Sequence, residues 1–192
     1  GINYICPDYR DGARKITKYV ISQGHKRIGY IGTLFSQDGV QRAKYEGFTE
    51  IMKKNSLKVE EGLVKEADFL CTNAEQLVNE ILEEQSVPTA IICDDDLLAI
   101  RTIDVLRRRG ITVPEDVSVT GFNDIYPVGL SWMGITTVRV PRFEMGKESA
   151  EFIYKLVNGE DVTLRKGFAL ELVIRSSCIK KTRRRKVTVS AK

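Results

Sequence analysis

The sequence predicts an α/β protein built on a doubly wound parallel sheet with helices on both faces. Three observations carry this. Short apolar runs alternate with longer stretches of helical periodicity, the pattern of strands joined by crossover helices. The run at 89–93, Thr-Ala-Ile-Ile-Cys, is almost wholly apolar, as a strand covered on both faces must be. The stretch 110–124, GITVPEDVSVTGFND, sets a helix stop, a turn, a buried strand and a polar strand end in direct succession. Ligands of open parallel sheets bind outside the carboxyl ends of the strands, so Asn123 and Asp124 are the first functional suspects.

Each element has its own signal. Residues 11–23 carry a stripe of Ala13, Ile16, Tyr19, Val20 and Ile21, stopped by Gly24. Ile28-Gly29-Tyr30-Ile31-Gly32 reads as a buried strand, followed by a polar loop at 33–39. A second helix spans 40–55, with Tyr45, Phe48, Ile51 and Met52 on one face. A short strand is expected at 62–65 and a loop at 66–71. The third helix is expected at 72–85, capped by Thr72 or Asn73, with Leu77, Val78, Ile81 and Leu82 inward. Asp94-Asp95-Asp96 ends the strand at 89–93, and the fourth helix runs to Arg109. Residues 125–134, with Trp132, form an irregular loop, and 135–140 are extended and end at Pro141. The fifth helix is expected at 142–157, stopped by Asn158-Gly159. Residues 168–174 alternate as one last strand.

Composition narrows the function. With 42% hydrophobic and 29% charged residues the chain is of ordinary soluble globular type. No apolar run approaches the ~20 residues of a membrane helix, and no signal peptide opens the chain. The missing initiator Met leads to the expectation of a fragment. Cys6, Cys71, Cys93 and Cys178 are scattered without a CxxC, which favours a reducing cytoplasm over disulfides or a zinc site. Of the basic residues, Lys180, Lys181, Arg183, Arg184, Arg185, Lys186 and Lys192 lie in the last stretch. The body is left with 23 basic against 26 acidic side chains, which is not the footprint of a nucleic-acid groove. The tail at 179–192 is expected to be flexible and solvated, with DNA phosphates as the alternative contact.

The expected strand ends deliver a coherent set: Asp38 and Arg42 after the first strand, Asp68 and Phe69 after the second, the three aspartates after the third, and Asn123 and Asp124 after the fourth. Carboxylates and an amide bind vicinal hydroxyls, a guanidinium clamps a pair of oxygens, and an aromatic face stacks on the C–H face of a sugar. Each residue also has a plainer use. Asp94 and Asp96 are as well suited to capping the fourth helix, Arg42 to a helix surface and Phe69 to a core. The lone histidine, His25, lies at the edge opposite the strand carboxyl ends, where a capping or turn role is expected. GxSxG, Walker A and GxGxxG motifs are absent, and no nucleophile or metal set pairs with the carboxylates, so neither enzymatic activity nor a cofactor or metal is expected.

These motifs in this order resemble the effector-binding core of the LacI/GalR family of bacterial transcription regulators. The carrying residues are Asp11-Gly12, then Gly24-His25-Lys26-Arg27-Ile28-Gly29, Arg42 with Gly47-Phe48, and Pro88-Thr89-Ala90-Ile91 with Asp95-Asp96 and Ala99. Further on come Val113-Pro114-Glu115-Asp116-Val117-Ser118-Val119 with Gly121-Phe122-Asn123-Asp124, Thr136-Thr137-Val138, and Leu172-Val173-Ile174-Arg175-Ser176-Ser177. The resemblance implies a periplasmic-binding-protein-like type I module of two subdomains joined by three crossovers and closing on a small effector, commonly a sugar. It also implies a homodimer that reaches operator DNA through a helix-turn-helix domain absent from this chain. By the same comparison, 1–178 form the effector-binding domain: the C-terminal subdomain at about 8–138, a crossover and piece of the N-terminal subdomain at about 139–165, and a returning strand at about 168–175. One wall of the cleft is then missing, and the chain alone is expected to bind effector weakly or not at all. Arg42 and Asn123 match the principal polar effector contacts, Asp95 a polar contact at a strand end, Phe69 the stacking aromatic, and Asp38 a loop position that often touches ligand. Where the family usually has Asn-Asp or Gly-Asp, this chain has Asp95-Asp96, adding negative charge. A Trp132-Met133-Gly134-Ile135 approach replaces the usual proline-rich one, and Arg139 and Arg142 occupy crossover positions where some relatives contact ligand. A sugar-binding protein of a transport system is the alternative reading.

Overall fold

The computed structural model describes residues 2–35, 39–125 and 134–181. In chain order the elements are β1 (Tyr4–Pro7), α1 (Tyr9–Ser22), β2 (Ile28–Thr33), α2 (Val40–Lys54), β3 (Val64–Ala67), α3 (Ala74–Leu82), β4 (Ala90–Cys93), α4 (Asp96–Arg108), β5 (Ser118–Thr120), β6 (Thr137–Arg139), α5 (Arg142–Val157), β7 (Arg165–Phe168) and β8 (Glu171–Val173). The central sheet has the order β3-β2-β4-β5, and every neighbouring pair is parallel.

Successive side chains along these strands point to opposite faces, and both faces are buried. Ile31, Ile91, Cys93 and Val119 pack with Val78 and Ile81 of α3 and Leu98, Ile103 and Leu106 of α4. Tyr30, Ala90 and Ile92 point the other way, against Ile16 and Val20 of α1 and Phe48 and Met52 of α2. Tyr30 stacks on Phe48 with ring centroids 4.8 Å apart. Each fully buried side chain of this size contributes about 1.5–3 kcal/mol. That burial accounts for the near-continuous apolar strands read in the sequence.

The segment carrying β6 runs parallel beside β5. Gly121 N–H donates to Thr136 O at 2.9 Å and Asn123 N–H to Val138 O at 2.8 Å. β8 lies antiparallel to β6. β1 pairs parallel with β7, apart from the main sheet. The ion pair between Lys166 of β7 and Glu148 links this strand pair to α5. The chain therefore passes three times between the main sheet and the β1–β7 pair: before α1, after β6 and before β8.

One expectation is corrected, and one strand is new. The single last strand expected at 168–174 is two strands in different sheets, β7 and β8. Leu170 between them is buried beside α1 and pins the turn there, while Lys15 Nζ donates to the Leu170 carbonyl at 2.8 Å. The opening residues form β1, a strand missed because its partner lies about 160 residues away and four residues show no resolvable period. Smaller shifts occur at β3, which begins after a 3-10 turn at Glu61–Leu63, and at α3, which is shorter than expected. Helix α5 has the expected bounds, yet none of its residues is buried.

Two glycines let α1 pack closely, Gly47 of α2 at its crossing with α1 and Gly12 of α1 at its contact with the β5, β6 and β8 segments. A methyl group at Gly47 would lie 2.4 Å from the Arg10 carbonyl oxygen and 2.9 Å from Ala13 Cβ. One at Gly12 would meet Leu170, Phe122 and Val138 at 2.8–3.1 Å. Gly47→Ala is expected to lower stability by about 1–3 kcal/mol, because the obstructing atoms are largely helix backbone. Urea denaturation checks this; an unchanged midpoint would mean the helices separate freely.

Candidate functional site

The site candidates sit where the order of the central sheet reverses. From β2 the chain moves outward to β3, then returns to add β4 on the other side of β2. The loops after β2 and β4 thus leave in opposite directions and open a crevice at the carboxyl edge. The loops after β3 and β5 flank it.

After β4, the three aspartates divide the work. Asp95 is the N-cap of α4, with Oδ1 accepting from Leu97 N–H at 2.8 Å. Its Oδ2 accepts from Asn123 Nδ2 at 2.7 Å. Asp94 and Asp96 are buried. Asp94 Oδ2 accepts from Thr33 N–H at 2.9 Å and from its hydroxyl at 3.3 Å, tying β4 to the end of β2. Asp96 accepts from Ile125 N–H at 2.8 Å and from the Thr137 hydroxyl at 2.6 Å, tying α4 to β6 and to the loop after β5. Burial pushes both carboxyls up to about 6. Lys44, 4% exposed, answers this charge. Its Nζ donates to the Asp94 carbonyl at 2.7 Å and lies 4.4 Å from the centre of the Phe122 ring. Burial lowers the Lys44 pKa, against the opposing pull of the aspartates.

Asn123 and Asp124 adopt left-handed backbone conformations, with φ of 104° and 51°. Asp124 does not face the crevice as an available acceptor. Its carboxylate takes Arg139 Nε at 2.8 Å and Arg175 Nη2 at 2.7 Å. Hydrogen bonding to Asp124 is the main cause raising the Arg139 pKa. Arg142 Nη1 donates to the Asn123 carbonyl at 3.0 Å.

In the loop after β3, Asp68 is an organiser rather than a ligand arm. Its oxygens accept from the Thr72 hydroxyl and from the N–H groups of Thr72, Asn73 and Leu70, which holds the carboxyl at about 2. Asn73 stands at the N-cap position of α3, but its side chain accepts from Asp68 N–H instead of capping. The result is a fixed loop that leaves Phe69 72% exposed, so its ring is available to stack on a ligand. Arg42, near the start of α2, makes an exposed i,i+4 ion pair with Glu46 at 3.3 Å. Pairs of this kind are worth about 0.5 kcal/mol or less and are easily exchanged for a ligand.

Of the five sequence-named residues, Asp95 and Asn123 are in direct contact. Arg42 and Phe69 stand at the same sheet edge, on the elements following β2 and β3. Asp38 lies outside the described residues, as do Trp132 and the basic tail from 182 on. Reasoning from sequence missed Lys44 and Arg175, since neither a buried lysine inside a helix nor an arginine beyond the last strand carries a local signal. Arg139 and Arg142, at crossover positions where some relatives contact ligand, bind the Asp124 carboxylate and the Asn123 carbonyl. His25 is structural as expected, its ring nitrogens 3.0 Å from the Thr89 hydroxyl and from the Ile179 carbonyl oxygen. Among the described residues no helix is long and apolar enough to cross a membrane, and no cluster of His, Cys, Asp or Glu could hold a metal ion.

Residues 17–178 match the family described as periplasmic binding protein-like domain. The HTH-type transcriptional repressor PurR of Haemophilus influenzae is 29% identical over 171 residues, which make up 87% of this chain and 51% of that one. The chain thus spans about half the length of the curated relatives it matches. Among solved structures, a regulatory protein of the LacI family from Chloroflexus aggregans superposes with a TM-score of 0.84 at 26% identity, over 92% of this chain and 64% of the other. The complex of the transcriptional regulator CelR with cellobiose gives 0.81 at 29% identity, over 92% and 54%. These relatives are named as transcription regulators.

The buried aspartates generate a pH prediction. Asp94 and Asp96 hold their protons more tightly folded than unfolded, so the native state binds more protons between about pH 4 and pH 6. Their contribution to stability therefore falls as pH rises through that window and is level above it. Asp96→Asn can keep Ile125 N–H on its carbonyl oxygen and donate to the Thr137 hydroxyl, without a charge to bury. Relative to this variant, wild type is expected to lose about 1–3 kcal/mol between pH 4 and pH 7. Urea denaturation at both pH values decides it, and a constant difference would sink the assignment.

Proposed function

The chain belongs to the periplasmic binding protein-like family, in its LacI/GalR effector-binding branch, and on that basis we propose that it is the effector-sensing module of a cytoplasmic, DNA-binding transcriptional regulator. The effector is a sugar or a similarly hydroxyl-rich metabolite. The observation that carries this is the hydrogen-bonded pair Asp95–Asn123, flanked at the same strand edge by the exposed Phe69 ring and the exchangeable guanidinium of Arg42. Carboxylate and amide oxygens accept from vicinal hydroxyls, Arg42 supplies donors, and Phe69 covers an apolar ring face. The cellobiose bound by CelR is of this chemical class.

In this reading a second subdomain closes over the wall when ligand binds. Closure works by differential affinity: ligand bridging both walls stabilises the closed arrangement and shifts the population toward it. A homodimer transmits that shift to operator DNA through a helix-turn-helix domain outside this chain. Asp38, outside the described residues, is a candidate contact from its position in the sequence before α2.

A thermal-shift screen of mono- and disaccharides against the longest form of the protein tests the effector class, with nucleosides and amino acids as the competing classes. A ligand present at about 100 times its Kd should stabilise the fold by about 2.7 kcal/mol. Arg42→Ala should abolish that shift while leaving the ligand-free protein within about 0.5 kcal/mol of wild type, as expected for an exposed side chain. Calorimetry showing unchanged affinity in the variant would remove Arg42 from the site.

A further inference from the structure

Asn123 is held less by its own strand than by the passages between the main sheet and the β1–β7 pair. Its φ of 104° is one that residues with a Cβ seldom keep without external support. That support comes from three sides. The Asn123 N–H donates to Val138 O at 2.8 Å, and its carbonyl accepts from Arg142 Nη1 at 3.0 Å. The next residue, Asp124, is clamped by Arg139 and Arg175, its side chain only 7% exposed. Arg139 ends β6 and reaches Glu171 at the start of β8 at 3.1 Å. Arg142 is the first residue of α5, and Arg175 follows β8. Each of these partners therefore belongs to a segment that leaves or re-enters the main sheet. On its other side, the Asn123 amide reaches Asp95 at 2.7 Å.

We propose that Arg139 and Arg142 are positioning residues that make the conformation of Asn123 depend on the setting of the crossover. A change in the angle at which β6 passes into α5 moves Arg142 relative to the Asn123 carbonyl and Arg139 relative to Asp124. Once these charge-assisted bonds break, Asn123 relaxes toward ordinary backbone angles and its amide leaves Asp95. Movement of the second unit is thereby read at the ligand wall even before ligand touches that unit, and ligand held by Asn123 biases the crossover in return. The proposal rests on the reading of Asn123 as an effector contact, and it adds the means by which that contact is coupled to the hinge.

Amide hydrogen exchange measured by NMR on the 192-residue chain tests the coupling without any ligand. In Arg142→Gln and in Arg139→Gln the Asn123 backbone amide is expected to exchange roughly tenfold faster, as removal of a hydrogen bond to a charged group implies. The β4 amides of Ile91 and Ile92 should keep their wild-type rates, and Arg142→Lys, which can still donate to the carbonyl, should return the Asn123 rate toward wild type. An unchanged Asn123 rate in either glutamine variant overturns the proposal, and so does equal acceleration in β4, which would mean a general loss of stability. Because no effector enters the measurement, these results are independent of the ligand screen, where the effector assignment itself stands or falls.

Discussion

Thr33, Asp94 and Lys44 are tied together at the point where the order of the parallel sheet reverses, and the candidate site is built outward from that tie. There the loops after β2 and β4 must diverge. Divergence opens the crevice that a ligand needs, but it also removes the neighbours that would otherwise hold the two strand ends together. Asp94 supplies them, by taking both the N–H and the hydroxyl of Thr33, and Lys44 extends the tie to α2 through the Asp94 carbonyl. Charges this deep are costly in low dielectric unless they compensate one another. The raised carboxyl of Asp94 and the lowered ammonium of Lys44 register that cost. Aromatic rings finish the enclosure: Phe122 under the ammonium, and Phe35 and Tyr45 in mutual contact at 4.5 Å near the start of α2.

From that knot outward, each strand end is stabilised by groups that stop short of the ligand face. Asp68 commits its oxygens to its own loop and so presents Phe69. Asp96 binds Ile125 and Thr137 and so fixes the approach of β6. Asp124 binds two arginines and so fixes Asn123. The residues best placed for recognition are thus one step away in sequence from the residues that do the holding. A run such as Asp94-Asp95-Asp96 looks uniform in composition, yet its outer members are buried and the middle one reaches the crevice and caps α4. This division explains how a wall with so many carboxylates presents only part of its negative charge to a ligand.

Electrostatics also connect the site to the rest of the chain. The β1–β7 pair and α5 share little apolar burial with the main sheet, and α5 buries no residue of its own. Hydrogen bonds and ion pairs brace the segments where the chain crosses between them: Lys15 to the Leu170 carbonyl, Arg139 to Asp124 and Glu171, Arg142 of α5 to the Asn123 carbonyl, Arg175 to Asp124 and the Ile135 carbonyl. Directional contacts of this kind can be exchanged for others at modest cost, whereas a packed apolar core resists gradual deformation. A junction so built fits the proposed change in angle between two units.

The class of fold, the order of the central strands and helices along the chain, and the sheet edge that carries the candidate site were legible in the residues alone. Those properties follow from local periodicity, from apolar runs such as 89–93, and from the polar ends of strands, each contained within a dozen or so residues. Arg42, Phe69, Asp95 and Asn123 could be singled out as candidate contacts for the same reason: side-chain chemistry at a strand's carboxyl end is visible without coordinates. The folded chain was needed to show that Asp95 and Asn123 touch, that residues 165–173 divide between two sheets, and that Tyr4–Pro7 is a strand. It was needed as well to show that Lys44, Arg139, Arg142 and Arg175 brace the site. The partners in these contacts lie between 15 residues apart, for Arg139 and Asp124, and 161 apart, for Tyr4 and Arg165. A pairing between separate elements leaves no periodic trace in either of them. Whether a side chain holds the site or recognises a ligand is set by the neighbour that the fold brings to it.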